Sequence, residues 1–473
     1  MSFVQDHIYP RLPVPLQNVA ISAFGLQWYY RRFGGVFNEC YQGFRERESY
    51  TLQQWRDYQT MQLRNILLHA FNTVPYYHET LKQAGFTANS LAKFEIEDLD
   101  KIPVLEKDTL RKLGKTALVS TQREKGGSFY SSSGSTGTPT NILYSYTMHQ
   151  KLSALYEARV RNWAGVSRFD ARGMIGGRRV IPDGEGKPPY YRYNLIEKQL
   201  YFSAYHISPS TVNNYVDGLK KYKTKYMVGY AMSNYILARF IKEAGLEAPA
   251  MEAVLTSSEK LTPQMRQVIS EVYNCKVYDA WSGVEWCGYI SENEHGQLLI
   301  GPDCGYIEIL KADGTPAQPG EEGELVCTGF LNYDQPLIRY KIGDVVRLAK
   351  DQQTKCGRQF PVVDEIIGRT EDTVVGRDGR EMVRFHGIFI NLPNVIKGQI
   401  VQEELDRFTV NTMTKGLSTE ERETIIKRMK SQLGDVTVSI NELDNIPVGS
   451  NGKFKAVVSK VKATSNLAVT SNT

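Results

Sequence analysis

The spacing of apolar positions changes character along the chain, and each change predicts a different kind of structure. To about residue 125 apolar residues recur at helical spacing. The pattern is clearest from Leu52 to Gly85, with a turn-like Val74-Pro75 inside it. Near Phe129 the chain passes abruptly into small and hydroxylated residues. From there to about residue 300 short apolar runs alternate with helical ones. Tyr226-Met227-Val228, Ala253-Val254-Leu255 and Lys276-Val277-Tyr278 read as short buried strands, and Met265 to Tyr273 as a helix between two of them. That alternation predicts α/β layering about parallel strands. From Tyr306 to Leu348 the pattern is β-like: the strands Tyr306 to Leu310 and Gly323 to Cys327 are separated by turns at Asp313-Gly314 and Pro319-Gly320. From Ile367 onward the chain reads as a small α+β domain. It has a turn at Asp378-Gly379, a charged helix from Ser418 to Leu433, a strand from Val436 to Ile440, and a frayed polar end from Ala463 to Thr473.

Length sharpens this picture. At 473 residues the chain exceeds the size at which one hydrophobic core stops growing, so two domains are expected, divided at 1–367 and 368–473. The net charge of +5, from 57 basic and 52 acidic residues, is spread along the chain. It argues against a nucleic-acid partner and leaves small anions open. The six cysteines form no C-x-x-C pair and are too sparse for a disulfide framework, so a reducing, cytoplasmic setting is expected.

Asp6 precedes any apolar run and no basic leader comes first, so no signal-peptide pattern is present. Leu12 to Tyr30 carry no charge, but Pro13, Pro15, Gln17, Asn18 and Gln27 interrupt them and argue against a spanning helix. Two readings stay open for this stretch. It packs on the domain as an amphipathic segment, or Trp28, Tyr29, Tyr30, Arg31 and Arg32 mark a membrane-surface contact.

The clearest chemical signal is the run Tyr130-Ser131-Ser132-Ser133-Gly134-Ser135-Thr136-Gly137-Thr138-Pro139-Thr140. Glycines let a backbone approach phosphate oxygens closely, and hydroxyls add donors. The run is not a Walker A loop, which requires G-x-x-x-x-G-K-[ST]. It holds no lysine, and before Gly114-Lys115-Thr116 a threonine, Thr109, stands where the first glycine should be. On composition alone such a run is more often a plain loop than a phosphate site.

Further segments follow in order. They are Thr256-Ser257-Ser258-Glu259-Lys260-Leu261-Thr262, Tyr278-Asp279-Ala280-Trp281-Ser282-Gly283-Val284-Glu285, Pro336 to Asp344, Ile367-Gly368-Arg369-Thr370-Glu371-Asp372, and Ile446-Pro447 with Gly452-Lys453-Phe454-Lys455. Together the six segments, spanning residues 130 to 455, resemble the adenylate-forming enzymes in their phenylacetate–CoA ligase branch. Within that branch the chain is most similar to capsular polysaccharide biosynthesis relatives of the CapK-like type. The resemblance implies a large N-terminal α/β domain and a small mobile C-terminal α+β lid domain. It also implies an ATP-dependent, AMP-forming ligase that makes an acyl-adenylate from a carboxylic acid.

The resemblance assigns roles residue by residue. Ser132, Ser133, Gly134, Ser135, Thr136 and Gly137 would cradle phosphates. Ser258, Glu259, Asp279, Trp281 and Ser282 would line the nucleotide pocket, with Trp281 stacking on adenine. Glu285 would hold Mg²⁺ against the triphosphate, since a hard cation prefers carboxylate oxygens. Asp344 would accept from both ribose hydroxyls. Arg369 would meet the nucleotide across the domain junction, and Glu371 would sit at a hinge. Lys453 would stabilise the charge that develops at the α-phosphate. Gly229 and Tyr230 would wall the acid pocket. Arg179 either pairs with a substrate anion or belongs to a surface basic patch. Coenzyme A is the acceptor the branch implies; an amine such as an amino sugar is the alternative.

The chain also departs from the family pattern. Thr138 stands where the phosphate loop often has lysine, Ser282 where glycine is usual, and Lys341 where arginine is usual. A degenerate, non-catalytic binding protein on the same fold therefore remains a rival. Relatives can hold a structural zinc through four ligands. Here Asn293, Leu298 and Thr354 occupy three of those places and only Cys356 survives, so no zinc is expected.

Overall fold

A computed structural model describes residues 8–131, 139–177, 180–181, 187–204, 206–258, 261, 263–367, 374–375, 381–382, 386–389, 392, 394–414, 416–444, 446 and 457–461. The chain divides into two compact units, a large one of Met1–Ser132 with Thr140–Thr370 and a small one of Glu371–Thr473 with Ser133–Pro139.

The large unit opens with six helices: α1 (Val14–Phe33), α2 (Phe37–Glu46), α3 (Leu52–Thr73), α4 (Pro75–Gln83), α5 (Ala88–Ala92) and α6 (Lys107–Leu113). Local chemistry sets their ends. Thr51 accepts from the Gln54 backbone N–H at 3.3 Å while the Gln54 side chain accepts from Thr51 N–H at 2.9 Å, a capping box that starts α3. Val74 ends α3 in extended geometry because Pro75 follows it, and that proline is the first residue of α4. The helical opening and the break at Val74-Pro75 both match the sequence pattern.

A two-stranded ribbon comes next, β1 (Ser128–Ser131) with β2 (Asn141–Tyr144), in which Ser131 stands opposite Asn141. Then come α7 (Tyr146–Tyr156), β3 (Arg172–Gly176), β4 (Tyr191–Asn194), β5 (Gln199–Ser203), α8 (Val212–Lys221), β6 (Tyr226–Tyr230), α9 (Ala231–Glu243), β7 (Ala253–Ser257), α10 (Pro263–Tyr273) and β8 (Lys276–Trp281). Six strands complete the unit: β9 (Ile290–Glu292), β10 (Leu298–Ile300), β11 (Gly305–Leu310), β12 (Glu322–Gly329), β13 (Tyr340–Leu348) and β14 (Val362–Ile366). All but the ribbon join one sheet of twelve strands, ordered β11-β12-β13-β14-β10-β9-β8-β7-β6-β3-β5-β4. Strands β5, β3, β6, β7 and β8 run parallel.

The sequence separates an α/β part from a β-like part, but the structure runs them into one surface. The joint is the antiparallel pair β8–β9, where Ala280 faces Ser291 and Trp281 faces Ile290. Strand β4 adds an antiparallel edge beside β5. Alternation of apolar residues marks a strand but does not name its neighbour, so the continuity was not readable from pattern alone.

Buried ion pairs tie the helical opening to this sheet. Arg159, fully buried, donates to Glu48 at 2.6 Å and to Asp303 at 2.9 Å. Arg358 bridges Glu48 at 2.8 Å and Glu294 at 2.8 Å. Removing one partner of the Arg159 set strands a buried charge, so the set is costly to break even where its net contribution to stability is small.

In the small unit, β15 (Val374–Val375) pairs with β16 (Glu381–Met382), followed by the short α11 (His386–Phe389). Strands β17 (Val395–Glu404), β18 (Arg407–Thr414), β19 (Thr437–Glu442) and β20 (Val457–Ser459) form a sheet ordered β19-β18-β17-β20. Helix α12 (Thr419–Leu433) buries Ile425, Met429 and Leu433 against Ile400, Phe408 and Val410 of this unit's core. Ser418 caps α12, with Glu421 N–H donating to its hydroxyl at 3.1 Å. Charged helix and following strand lie where the sequence puts them. The Asp378-Gly379 turn and the 463–473 end lie outside the described residues.

Candidate functional site

The parallel strands β6, β7 and β8 end side by side, and in an open α/β sheet the crevice beyond such ends is where ligands bind. At the end of β6 the chain must be glycine. Gly229 has φ 138°, and a Cβ there would stand 1.7 Å from the carbonyl oxygen of Ile175 on β3. Gly229→Ala is expected to cost at least ~2 kcal/mol of stability, read by urea denaturation of the large unit. An unchanged midpoint would show that β3 and β6 yield there. Tyr230 follows as the last residue before α9, and its hydroxyl would meet a side chain at Gly177 at 2.9 Å. At the end of β7, Ser258 is held at φ 72°, a conformation that is strained for serine and that clusters at functional sites.

Beyond β8 the Gly283-Val284-Glu285 stretch turns the Glu285 carboxylate inward, where it is only 5 % exposed. Its Oε1 accepts from the Thr140 hydroxyl at 3.1 Å and from the Tyr340 hydroxyl at 3.3 Å. Oε2 lies so close to Gly283 that a Cβ there would stand 2.3 Å away. Thr140 is the last residue of the Ser/Thr/Gly run, and Tyr340 belongs to the Pro336 to Asp344 segment. Three sequence segments, 145 and 55 residues from Glu285, thus meet on one carboxylate. From the same β13, Asp344 accepts from the Trp281 indole N–H at 3.3 Å.

Neutral amides anchor the ribbon whose second strand follows Thr140. Gln335, fully buried, accepts from Leu143 N–H at 2.5 Å and donates to the carbonyls of Gly114 at 2.9 Å and Asn141 at 3.1 Å. Asn332 donates to Leu143 O at 3.0 Å, and the Tyr144 hydroxyl donates to Val284 O. Arg339, the arginine of the Pro336 to Asp344 segment, points away from this cluster. It donates to Glu308 at 2.8 and 2.9 Å and to the carbonyls of Asp100 and Ile102 at 3.0 and 2.6 Å. It anchors the strand to the helical opening.

Asp279 sits on β8 among other acids. Its Oδ1 accepts from Thr256 Oγ1 at 3.2 Å and from Ala280 N–H at 3.0 Å, while its own N–H donates to Glu292 at 2.9 Å. Arg266 donates to both Glu292 oxygens, at 2.9 and 2.8 Å. Burial and the neighbouring Glu292 push the Asp279 carboxyl up from 3.8 to about 7, against the Ala280 N–H, Arg266 and Thr256. Such an acid keeps its proton in the folded chain where the unfolded chain has lost it. Stability therefore falls as pH rises from about 4 to about 7. Asp279→Asn should melt like the parent at pH 4 and be more stable by roughly 1–4 kcal/mol at pH 8. Equal melting at both values would place the titration elsewhere.

Of the residues singled out in the sequence, Trp281 meets Asp344, Glu285 meets residues of two other singled-out segments, Ser282 follows Trp281 in the chain, Asp279 lies within β8, and Ser258, Gly229 and Tyr230 lie at the ends of β7 and β6. Ser132, Ser133, Gly134, Ser135, Thr136, Gly137, Arg179, Glu259, Arg369 and Lys453 lie outside the described residues. The reading missed Thr140 and Tyr340 as partners of Glu285, and Glu292 as the neighbour that perturbs Asp279. The first two stood in segments already singled out; Glu292 had no signal.

The Glu285 carboxylate with the Thr140 hydroxyl is a donor set that suits Mg²⁺, which takes one or two carboxylates and keeps water. Of the positions compared with a zinc site in the sequence, Asn293 donates to Cys356 Sγ at 3.4 Å and Leu298 is absorbed into β10. Among the described residues no three His, Cys, Asp or Glu side chains cluster as a metal cage, and no helix is long and apolar enough to cross a membrane.

Residues 376–460 match the family described as the CapK C-terminal domain. The chain is 25 % identical to Protein CapK of Staphylococcus aureus, across 97 % of this chain and all of that protein. It is 24 % identical to a phenylacetate–coenzyme A ligase of Thermus thermophilus and 25 % to one of Escherichia coli, each across 70 % of this chain and 74 % of the relative. A solved structure of 2-hydroxyisobutyryl-CoA ligase, in complex with 2-HIB-AMP and CoA in its thioesterification state, superposes with a TM-score of 0.58. It has 19 % identity and covers 87 % of this chain and 91 % of its own. Its open form, also with 2-HIB-AMP and CoA, gives 0.54. At this identity the likeness shows the fold: a mixed α/β chain with a large N-terminal and a small C-terminal domain.

Proposed function

We propose that this chain, similar to Protein CapK across nearly its full length, is a CapK-like adenylate-forming enzyme that activates a carboxylic acid with ATP and passes the acyl group to coenzyme A. One observation carries the reading: the Thr140 and Tyr340 hydroxyls converge on Glu285 while Trp281 meets Asp344. These contacts support a reading in which Thr140 stands at the foot of a phosphate-type loop, Glu285 would hold a metal, Trp281 would wall the base and Asp344 would accept from ribose. Each alone has a bland explanation, but their meeting has fewer.

In the first half-reaction a substrate carboxylate oxygen attacks the α-phosphorus of ATP. The bond to the bridging oxygen of the β-phosphate breaks, and pyrophosphate leaves with the electron pair. Mg²⁺ bound at Glu285 would neutralise charge on the phosphates. Thr140 and Tyr340 hold the Glu285 carboxylate in place, so no reorganisation is needed when charge develops. Asp344 would accept from the ribose hydroxyls and Trp281 would offer its face to adenine. Gly229 and Tyr230 would border the acid. Lys453 would approach the α-phosphate from the small domain, residues 368–473, with Arg369 at the junction. In the second half-reaction the thiolate of coenzyme A attacks the acyl carbonyl, the carbon–oxygen bond to AMP breaks, and a thioester forms.

The likeness to Protein CapK spans 97 % of the chain, whereas the ligase likeness spans 70 % of it, and this favours one second reading. In it the acceptor is an amine, such as an amino sugar, and the product is an amide. Pyrophosphate release with aryl, fatty and amino acids tests the first half-reaction, and product mass from parallel incubations with coenzyme A and with amino sugars decides the second. Neither pyrophosphate release nor ATP binding with any acid would leave the non-catalytic reading standing.

A further inference from the structure

Helix α1 is built inside out. It is 20 residues long, about 30 Å, and it lies along β4, the edge strand of the large sheet. An edge strand presents unpaired backbone groups, and α1 answers them with its polar residues. Asn18 accepts from Tyr193 N–H at 2.9 Å and Ser22 accepts from Leu195 N–H at 3.0 Å. Gln17, buried, takes up the Arg192 guanidinium, and Arg32 pairs with the buried Glu197. Trp28 turns inward against His149. The outward face is left with Leu16, Val19, Ala20, Ala23, Phe24, Leu26, Gln27 and Tyr30, all exposed and only Gln27 strongly polar. Val19 is 64 % and Tyr30 67 % exposed, and beside them the turn after β4 exposes Leu195 (66 %) and Ile196 (41 %). A helix that merely closed a sheet edge would carry polar residues on the side that faces water.

Among the described residues the charge around this face is one-sided. Residues 8–38 hold Arg11, Arg31 and Arg32 and no acid; residues 187–206 hold Lys187, Arg192 and Lys198, and their single acid, Glu197, is buried against Arg32 and Arg172. Arg11, Lys187 and Lys198 are exposed on segments that abut α1. We infer that α1 is an interfacial helix that lays the large unit on an anionic lipid surface. Its apolar side chains would enter the headgroup boundary and the basic rim would face lipid phosphates. The residues that do this differ from the Trp28 to Arg32 cluster that the sequence suggested, of which only Tyr30 faces outward.

The test is sedimentation of the full chain with vesicles, comparing phosphatidylglycerol-rich with pure phosphatidylcholine membranes. Wild type should co-sediment with the anionic vesicles and come off as salt rises. Val19→Glu with Leu26→Glu should lower the bound fraction at least ~tenfold without moving the melting temperature, since both side chains are exposed. Tyr30→Trp should show a blue-shifted emission on the same vesicles. Absence of binding at low salt would overturn the inference. So would a dimer, seen by sedimentation velocity, that the two glutamates dissolve, because a second copy would then be the occupant.

Discussion

Glutamine in place of Glu285 should slow pyrophosphate release at least ~1000-fold and leave the melting temperature nearly unchanged. The amide oxygen of glutamine still accepts from Thr140 and Tyr340, so the two hydroxyls that converge on this side chain keep a partner. What disappears is the negative charge, the one property that a hard cation on the triphosphate requires. The variant therefore separates scaffold from chemistry: a purely structural Glu285 would tolerate it, and a metal-holding Glu285 would not. Raising Mg²⁺ should recover part of the rate if affinity for the metal is what was lost. A rate within about threefold of wild type would remove Glu285 from the mechanism.

The second large effect concerns Lys453. Lys453→Ala should slow adenylation at least ~100-fold, because an ammonium positioned at the developing phosphate charge acts far more strongly in the transition state than in the ground state. Thioester formation from preformed acyl-adenylate should change less, since no bond to the α-phosphorus forms or breaks in that step and the acyl carbon–oxygen bond is the one that yields as AMP departs. The melting temperature should barely move, as expected for a lysine in a Ser-Asn-Gly-Lys sequence. Pyrophosphate release and single-turnover thioester formation, measured on the same preparation, separate the two steps. Equal losses in both would point to a damaged fold or a role outside adenylation.

Much of the local structure was legible in the letters. The periodicity from Leu52 to Gly85 and its break at Val74-Pro75 correspond to α3 and α4, and the three short apolar runs correspond to β6, β7 and β8. Partnership was less legible. Strands β9 to β14 join the parallel strands through one antiparallel pair, a fact about neighbours that no window of sequence contains. The candidate site shows the same division. Glu285, Asp344 and Trp281 were singled out by the segments they stand in. That Thr140 and Tyr340 share Glu285 depends on folding across 145 and 55 residues. Arg339 shows the converse: it stands in a chemistry-bearing segment, yet its guanidinium is consumed by Glu308 and two carbonyls. Helix α1 was ambiguous for a physical reason. Its uncharged stretch fits packing and lipid contact equally well until the direction of Gln17, Asn18 and Ser22 is known.

The anchoring of the ribbon by Gln335 and Asn332 has a consequence for how acidity would be felt. Carboxamides carry no titratable proton near neutrality, so that corner should hold its shape from mildly acidic to alkaline solution. Asp279, on β8, is different: burial and Glu292 push its carboxyl up to about 7. If both regions border the bound nucleotide as proposed, acidity would act on it through Asp279 while the ribbon keeps its shape.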